Sequence, residues 1–111
     1  MSKSGKINPK ILESQAAILK ALGQPTRLQI LDFLKDGERC VCEIFPAIEQ
    51  EQANVSKHLS ILKQAGLLES RKDGLRILYR IKTPEVFDLL QGVSQLLKSQ
   101  ADEHHRLMAR L

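Results

Sequence analysis

Residues 52–82 read QANVSKHLSILKQAGLLESRKDGLRILYRIK, and this stretch decides the fold. Its first half carries Val55, Leu59 and Leu62 at helical spacing, and Gly66, four residues after Leu62, is a natural helix stop. Its second half alternates apolar and basic side chains on either side of Asp73-Gly74, which is typical of a β-hairpin. The stretch therefore predicts a helix followed by a basic hairpin.

The excess positive charge of the chain lies in this same stretch. The 111 residues carry a net charge of +4, and residues 52–82 contain seven basic and two acidic side chains. The rest of the chain carries a net charge of −1. This distribution indicates a polyanionic partner that faces the stretch, with a solvated basic face as the alternative.

Composition narrows the class of protein. With 42% hydrophobic and 27% charged residues, the chain is predicted to fold in water as one domain over residues 1–111. No segment approaches the roughly 18 apolar residues of a membrane span, and the polar start lacks a signal peptide's apolar block, so we predict a cytoplasmic protein that contacts no membrane. Glycine-rich phosphate loops and nucleophile–base pairs are not found, so we do not predict an enzyme.

Three helices are predicted before this stretch. The first runs over 9–22 and ends at Gly23, and the second runs from Pro25 to about residue 35. A short third helix follows, although Pro46 argues against regular helix around Cys42. The second helix is expected to bury Leu28, Leu31 and Leu34, with Ile30 and Phe33 beside them.

The two ends of the chain are predicted to differ. Residues 1–8 form a flexible tail, whereas Thr83 and Pro84 are the N-cap and first residue of a last helix that occupies 84–111. The first and last helices carry more apolar surface than so small a core requires. We expect a homodimer through these two helices, with the alternative that both cover a monomer core.

The order of elements predicts a winged helix-turn-helix, mostly α with a β-hairpin in the α+β class. In this fold the fourth helix enters the DNA major groove, and the hairpin follows the phosphates. His58, on the inner side of that helix, is assigned to packing and hydrogen bonding. The candidate contacts to double-stranded DNA are Gln52, Ala53, Asn54, Ser56, Lys57, Ser60, Arg71, Lys72 and Arg76.

Four short motifs resemble those of the ArsR/SmtB family of metal-sensing repressors, and the match extends over about residues 10–100. The resemblance implies a homodimeric repressor of transcription that leaves its operator DNA when an inducer binds. The motifs are LGQPTRL at 22–28, CVCEI at 40–44, VSKHL at 55–59 and GLL at 66–68.

The resemblance also implies that Cys40 and Cys42 form the inducer site. Both are interpreted as reduced thiols, because a separation of one residue makes a bridge between them geometrically poor. The family's arsenic, antimony, cadmium and lead sensors carry a Cys-Val-Cys segment, and thiolates suit soft ions. Phe45 stands where the arsenic sensors have a third cysteine. The shell would be completed by an outside thiol, by water or by the partner's cysteines.

The predicted inducer is As(III), Sb(III) or a soft divalent ion such as cadmium, lead or mercury, and DNA binding itself is expected to need no cofactor. Inducer capture would distort the start of the third helix, which packs against the fourth. A redox or persulfide sensor and two inert buried cysteines are the alternatives for the pair. A protein-interaction module is the alternative of another class. His104 and His105 are interpreted as part of a solvated tail, because adjacent histidines on a helix diverge by about 100°.

Overall fold

The computed structural model describes residues 6–111, so most of the predicted N-terminal tail, residues 1–5, lies outside the described part. The helix-turn-helix consists of α3 (Val41–Ala47), a four-residue turn and α4 (Gln52–Gln64), and the strands β2 (Leu68–Asp73) and β3 (Arg76–Ile81) form the wing. The predicted winged helix-turn-helix, mostly helical with a β-hairpin, is confirmed. The elements in chain order are α1 (Pro9–Leu22), α2 (Pro25–Leu34), β1 (Arg39–Cys40), α3 (Val41–Ala47), α4 (Gln52–Gln64), β2 (Leu68–Asp73), β3 (Arg76–Ile81) and α5 (Glu85–Ala109).

Local signals set the start of α1 and the end of α4. The Asn8 side chain accepts a hydrogen bond from the Lys10 amide at 2.8 Å, and Pro9 takes the first position of α1. Gly66 ends α4 with φ of 79°, a left-handed conformation that favours glycine. The predicted bounds of α1 and the role of Gly66 as a helix stop are therefore confirmed.

The core lies between α2, α3, α4 and the base of the wing. Burial of Leu31 and Leu34 is confirmed, whereas the predicted burial of Leu28 is wrong, because this side chain lines an open groove between α2 and α5. Within residues 6–111, no helix is both long and apolar enough to cross a bilayer. The fully buried side chains are Ile30, Leu31, Leu34, Ile44, Val55, Leu59, Leu62 and Leu68.

The wing belongs to a three-stranded antiparallel sheet with the order β1-β3-β2. Asp73 pairs with Arg76, so the turn consists of Gly74 and Leu75, one residue beyond the predicted Asp-Gly pair. The short strand β1 was not predicted. It places Cys40 opposite Leu78, and both residues are buried. The sheet therefore joins the cysteine segment directly to the wing.

Two local predictions are corrected. Cys42 lies in the first turn of α3, so the expected irregular backbone there is wrong. Pro46 removes only the one amide that would bond to the Cys42 carbonyl, and the helix continues to Ala47. Thr83 does not cap α5, because its hydroxyl donates to the Gly66 carbonyl at 2.8 Å.

Candidate nucleic-acid interface and cysteine site

The outward face of α4 is polar over its first nine residues. Val55, His58 and Leu59 are buried and hold the helix on the core, and the predicted contact residues point the other way. This face offers amide, hydroxyl and ammonium groups and no acidic side chain. Such groups match the donors and acceptors that base edges present in the major groove. The residues exposed on this face are Gln52, Ala53, Asn54, Ser56, Lys57 and Ser60.

His58 connects α4 to α2 and, through Arg27, to the end of α1 by hydrogen bonds. The Arg27 Nε donates to His58 Nδ1 at 3.1 Å, and Arg27 Nη1 donates to the carbonyls of Lys20 and Ala21 at 3.4 and 3.3 Å. Burial, together with the nearby charges of Arg27 and Lys57, lowers the pKa of His58, so the imidazole is neutral and can accept this bond. The predicted packing and hydrogen-bonding role of His58 is confirmed.

The wing carries the predicted basic residues Arg71, Lys72 and Arg76, all exposed. Arg71 does not project freely, because its Nε and Nη2 donate to the two carboxylate oxygens of Glu38 at 2.9 and 2.8 Å. This hydrogen bond lowers the pKa of Glu38 and raises that of Arg71. Arg76 Nη2 lies 3.8 Å from a carboxylate oxygen of Glu43. All three residues lie on the wing, and two of them, Arg71 and Arg76, have acidic partners.

Cys40 and Cys42 are joined by a disulfide, so the prediction of two reduced thiols is wrong for this structure. Cys40 is the extended N-cap of α3 and Cys42 lies in the first turn, which brings their Cα atoms to 5.0 Å. That separation falls within the range that a disulfide spans. Cys40 is buried and Cys42 is exposed, so the pair lies at the boundary between the core and the surface.

The start of α3 is closed by a capping box built on the cysteines. The Cys40 Sγ accepts from the Cys42 amide at 3.0 Å, and the Glu43 carboxylate accepts from the Cys40 amide at 3.0 Å. Glu43 follows Cys40 at the spacing of a capping box, but cysteine stands where the sequence signal has serine or threonine. Among residues 6–111 no group of three or more histidine, cysteine or acidic side chains is placed to hold a metal ion.

Apolar side chains remain uncovered along α1 and α5. Val86 is the only buried residue of α5, although this helix is 25 residues long. His104 and His105 lie near its exposed end. The uncovered apolar residues, each at least 37% exposed, include Ile11, Leu12, Ile18 and Leu19 on α1 and Leu89, Val93, Leu96 and Leu97 on α5.

Comparison with known proteins places the chain in a family. The family model for bacterial regulatory proteins of the arsR family matches residues 24–70. An uncharacterized HTH-type transcriptional regulator of Methanocaldococcus jannaschii, MJ1325, is 41% identical over 85 residues, which cover 76% of this chain and 96% of the relative. The arsenical resistance operon repressor of Escherichia coli is 42% identical over 65 residues, 58% of this chain and 56% of the repressor.

A solved structure supports the same assignment. It is the homodimeric winged helix-turn-helix DNA-binding domain Mb0332 of Mycobacterium bovis, described as a possible ArsR-family transcriptional regulator. It superposes with a TM-score of 0.74 at 36% sequence identity, covering 92% of this chain and 96% of the other. The sequence relatives, the shared fold and the polar α4 face beside a basic wing lead to one conclusion: this chain belongs to the ArsR family of regulatory proteins.

Proposed function

We propose that the protein is a transcriptional repressor that binds operator DNA as a homodimer. The observation that carries the proposal is the exposed polar face of α4, free of acidic side chains, beside a wing that carries Arg71, Lys72 and Arg76. In this arrangement α4 enters the major groove, and the wing follows the phosphates into the neighbouring minor groove. Base edges would be contacted by α4, whereas the wing would supply affinity that depends little on sequence.

The homodimer is proposed to form through α1 and α5, with residues 84–111 as the dimerisation segment. Its support is the row of uncovered apolar side chains on both helices, which a second copy of the chain would bury. The related M. bovis domain is itself homodimeric. In such a dimer the two α4 helices would lie about 34 Å apart, one turn of DNA, and would bind an inverted repeat.

DNA binding is tested by fluorescence anisotropy with a promoter fragment taken from beside the protein's own gene. We expect log K to fall steeply with log salt, by about 0.9 for each phosphate neutralised. Lys57→Ala should lower that slope, whereas Lys98→Ala, an exposed charge on α5, should not. A flat salt dependence would favour the protein-interaction module and contradict the proposal.

The inducer is proposed to be a thiophilic ion, As(III), Sb(III) or a soft divalent metal, bound by Cys40 and Cys42 in their reduced form. Both sulfurs lie at the N-terminal end of α3, on the same side, where they could hold one ion together. The related E. coli protein is named for an arsenical resistance operon. An outside thiol, water or the partner's cysteines would complete the shell.

A redox sensor is the second candidate, and the Cys40–Cys42 disulfide is the observation that favours it. Two thiols and one hydrogen peroxide would give the disulfide and two waters, so the sulfurs lose the two electrons that the peroxide gains. In both candidates the change occurs at the N-cap of α3, which packs on α4 through Ile44. A coupling of about 1–3 kcal/mol would weaken DNA binding by roughly 5- to 150-fold.

The two candidates are separated by titrating the reduced protein on its promoter fragment. Release by As(III), Sb(III), Cd(II), Pb(II) or Hg(II) supports the ion sensor, whereas release by peroxide or polysulfide alone supports the redox sensor. The control is the double variant Cys40→Ser/Cys42→Ser, which should respond to none of them. A response that persists in this variant would place the inducer site elsewhere, with His104 and His105 as the next residues to replace.

A further inference from the structure

The face of the sheet that carries the cysteine segment also carries the arginines of the wing. Cys40 lies opposite Leu78, and Leu78 lies opposite Arg71, so the three side chains share one face. By the alternation of β-strands, Arg76 and Arg80 lie on that face too. Two candidate DNA contacts of the wing, Arg71 and Arg76, therefore share a sheet face with Cys40, and Leu78 lies between Cys40 and Arg71.

Each of these three arginines faces a carboxylate. Arg71 binds the Glu38 carboxylate in a bidentate manner. Arg76 Nη2 lies 3.8 Å from Glu43 Oε1, and Arg80 Nε lies 2.6 Å from Glu69 Oε2. Two of the three acids belong to the segment that holds the cysteines. One precedes Cys40 by two residues and the other directly follows Cys42, whereas Glu69 lies on the neighbouring strand β2.

A carboxylate and a phosphate compete for the same guanidinium donors. Arginine binds either group with the same planar set of N–H donors. The Arg71 guanidinium, which is bonded to Glu38, must therefore release Glu38 or share its donors with a phosphate before it can bind DNA. The two acids also place negative charge beside the surface that would face the phosphates. Both effects act against DNA binding.

The position of Glu43 depends on the backbone of the cysteine pair. Its Oε1 accepts from the Cys40 amide at 3.0 Å and is also the oxygen that lies 3.8 Å from Arg76. A change at Cys40 and Cys42, from disulfide to thiols or to an ion-bound pair, alters the N-cap that this bond closes. The same carboxylate would then move relative to the wing.

We infer that Glu38 and Glu43 are positioning residues that hold Arg71 and Arg76 away from DNA. Glu43 also transmits a change in the Cys40–Cys42 pair, whether disulfide, thiols or ion-bound, to the wing. The inference rests on the proposed function, because it requires that the wing bind operator DNA. The inference adds a second connection between the cysteine pair and the DNA-binding surface. It runs through β1, Glu38 and Glu43 to the wing, whereas the first runs through α3 to α4.

The test compares Glu38→Gln and Glu43→Gln with Glu69→Gln, in the full chain, by anisotropy on the promoter fragment. Each variant removes one negative charge that lies beside an arginine of this sheet face, so Glu69→Gln measures the general effect of charge. Glutamine at position 43 keeps an oxygen for the Cys40 amide, so the capping box is retained. Each protein is measured as the disulfide, formed with peroxide, and after reduction with a thiol.

In the disulfide form, Glu38→Gln and Glu43→Gln are expected to bind about 2- to 30-fold more tightly than Glu69→Gln, the range for a dimer that loses two exposed ion pairs. Their salt slopes should steepen by about 0.9 for each arginine that gains a phosphate. The ratio of the two dissociation constants, disulfide to reduced, should shrink in Glu43→Gln and persist in Glu69→Gln.

Three results would overturn the inference. The first is equal affinity and slope in all three variants, and the second is a disulfide-to-reduced ratio that Glu43→Gln leaves unchanged. The third is a wild type that binds DNA equally well in both forms. Failure of the wild type to bind the fragment at any salt concentration would refute the proposed function itself, and this outcome is distinct from the other three.

Discussion

Replacement of Arg27 by methionine tests how the DNA-binding helix is fastened to the rest of the fold. Arg27 lies on α2, and its guanidinium bonds to two carbonyls at the end of α1 and to His58 on α4. It therefore joins the helix proposed to dimerise to the helix proposed to bind DNA. Methionine retains most of the unbranched side chain but has no donor.

The expected loss follows from the three bonds. The bond to His58, at 3.1 Å and partly buried, has a charged donor and contributes about 1.5–3 kcal/mol to stability. The bonds to the Lys20 and Ala21 carbonyls, at 3.4 and 3.3 Å, are long and contribute roughly 0.5 kcal/mol each. Because Arg27 is only half-buried, water can replace part of these bonds. We expect a loss of about 2 kcal/mol, which corresponds to about 8 °C in Tm.

The assay is thermal unfolding followed by circular dichroism, at one fixed protein concentration because dimerisation makes Tm concentration-dependent. Arg110→Met, at the exposed end of the chain, is the matched control and should melt like the wild type. The pKa of His58, followed by NMR, should rise in Arg27→Met, because the Arg27 charge lowers it. An Arg27→Met protein that melts with the control, or whose His58 pKa is unchanged, would refute the argument.

Three further predictions concern stability, each measured by urea unfolding. The pKa of His58 is lowered on folding, so the unfolded chain binds a proton at higher pH than the folded protein does. The stability is therefore retained above about pH 6.5 and is lost as the pH falls below that value, by at most about 1.4 kcal/mol per pH unit. His58→Gln should remove that part of the slope, and an unchanged slope would contradict the assignment. Gly66→Ala should destabilise the protein by about 1–2 kcal/mol, because the backbone at Gly66 is left-handed. Gly92→Ala should stabilise it by about 0.5–1 kcal/mol, because Gly92 lies in a helix with open space around it. Equal effects of the two variants would argue against the backbone explanation. Leu59→Ala, in the fully buried core, should cost about 2–5 kcal/mol, and a loss comparable to that of a surface variant would show that α4 is not held by this packing.

The helices and the outward face of α4 could be predicted because their signals are local. Asn8 and Pro9 start α1, and Gly66 ends α4, since capping and left-handed φ depend on neighbouring residues alone. The apolar spacing of Val55 and Leu59 likewise determines which side of α4 turns inward. The winged helix-turn-helix and its candidate recognition face follow from these short-range relations and from the order of the elements.

The connection between the cysteines and the wing arises from contacts between residues far apart in the chain. Strand β1 has only two residues, too few for any periodicity, and it exists because Arg39 and Cys40 find partners on β3. Arg71 meets Glu38 across 33 positions of sequence, so neither residue alone indicates that the wing's arginine is already occupied. The Cys40–Cys42 bridge depends on an extended N-cap that the sheet and α3 impose together. Which charges are paired, and which sulfurs meet, is decided by distances in space, and those exist only after the chain has folded.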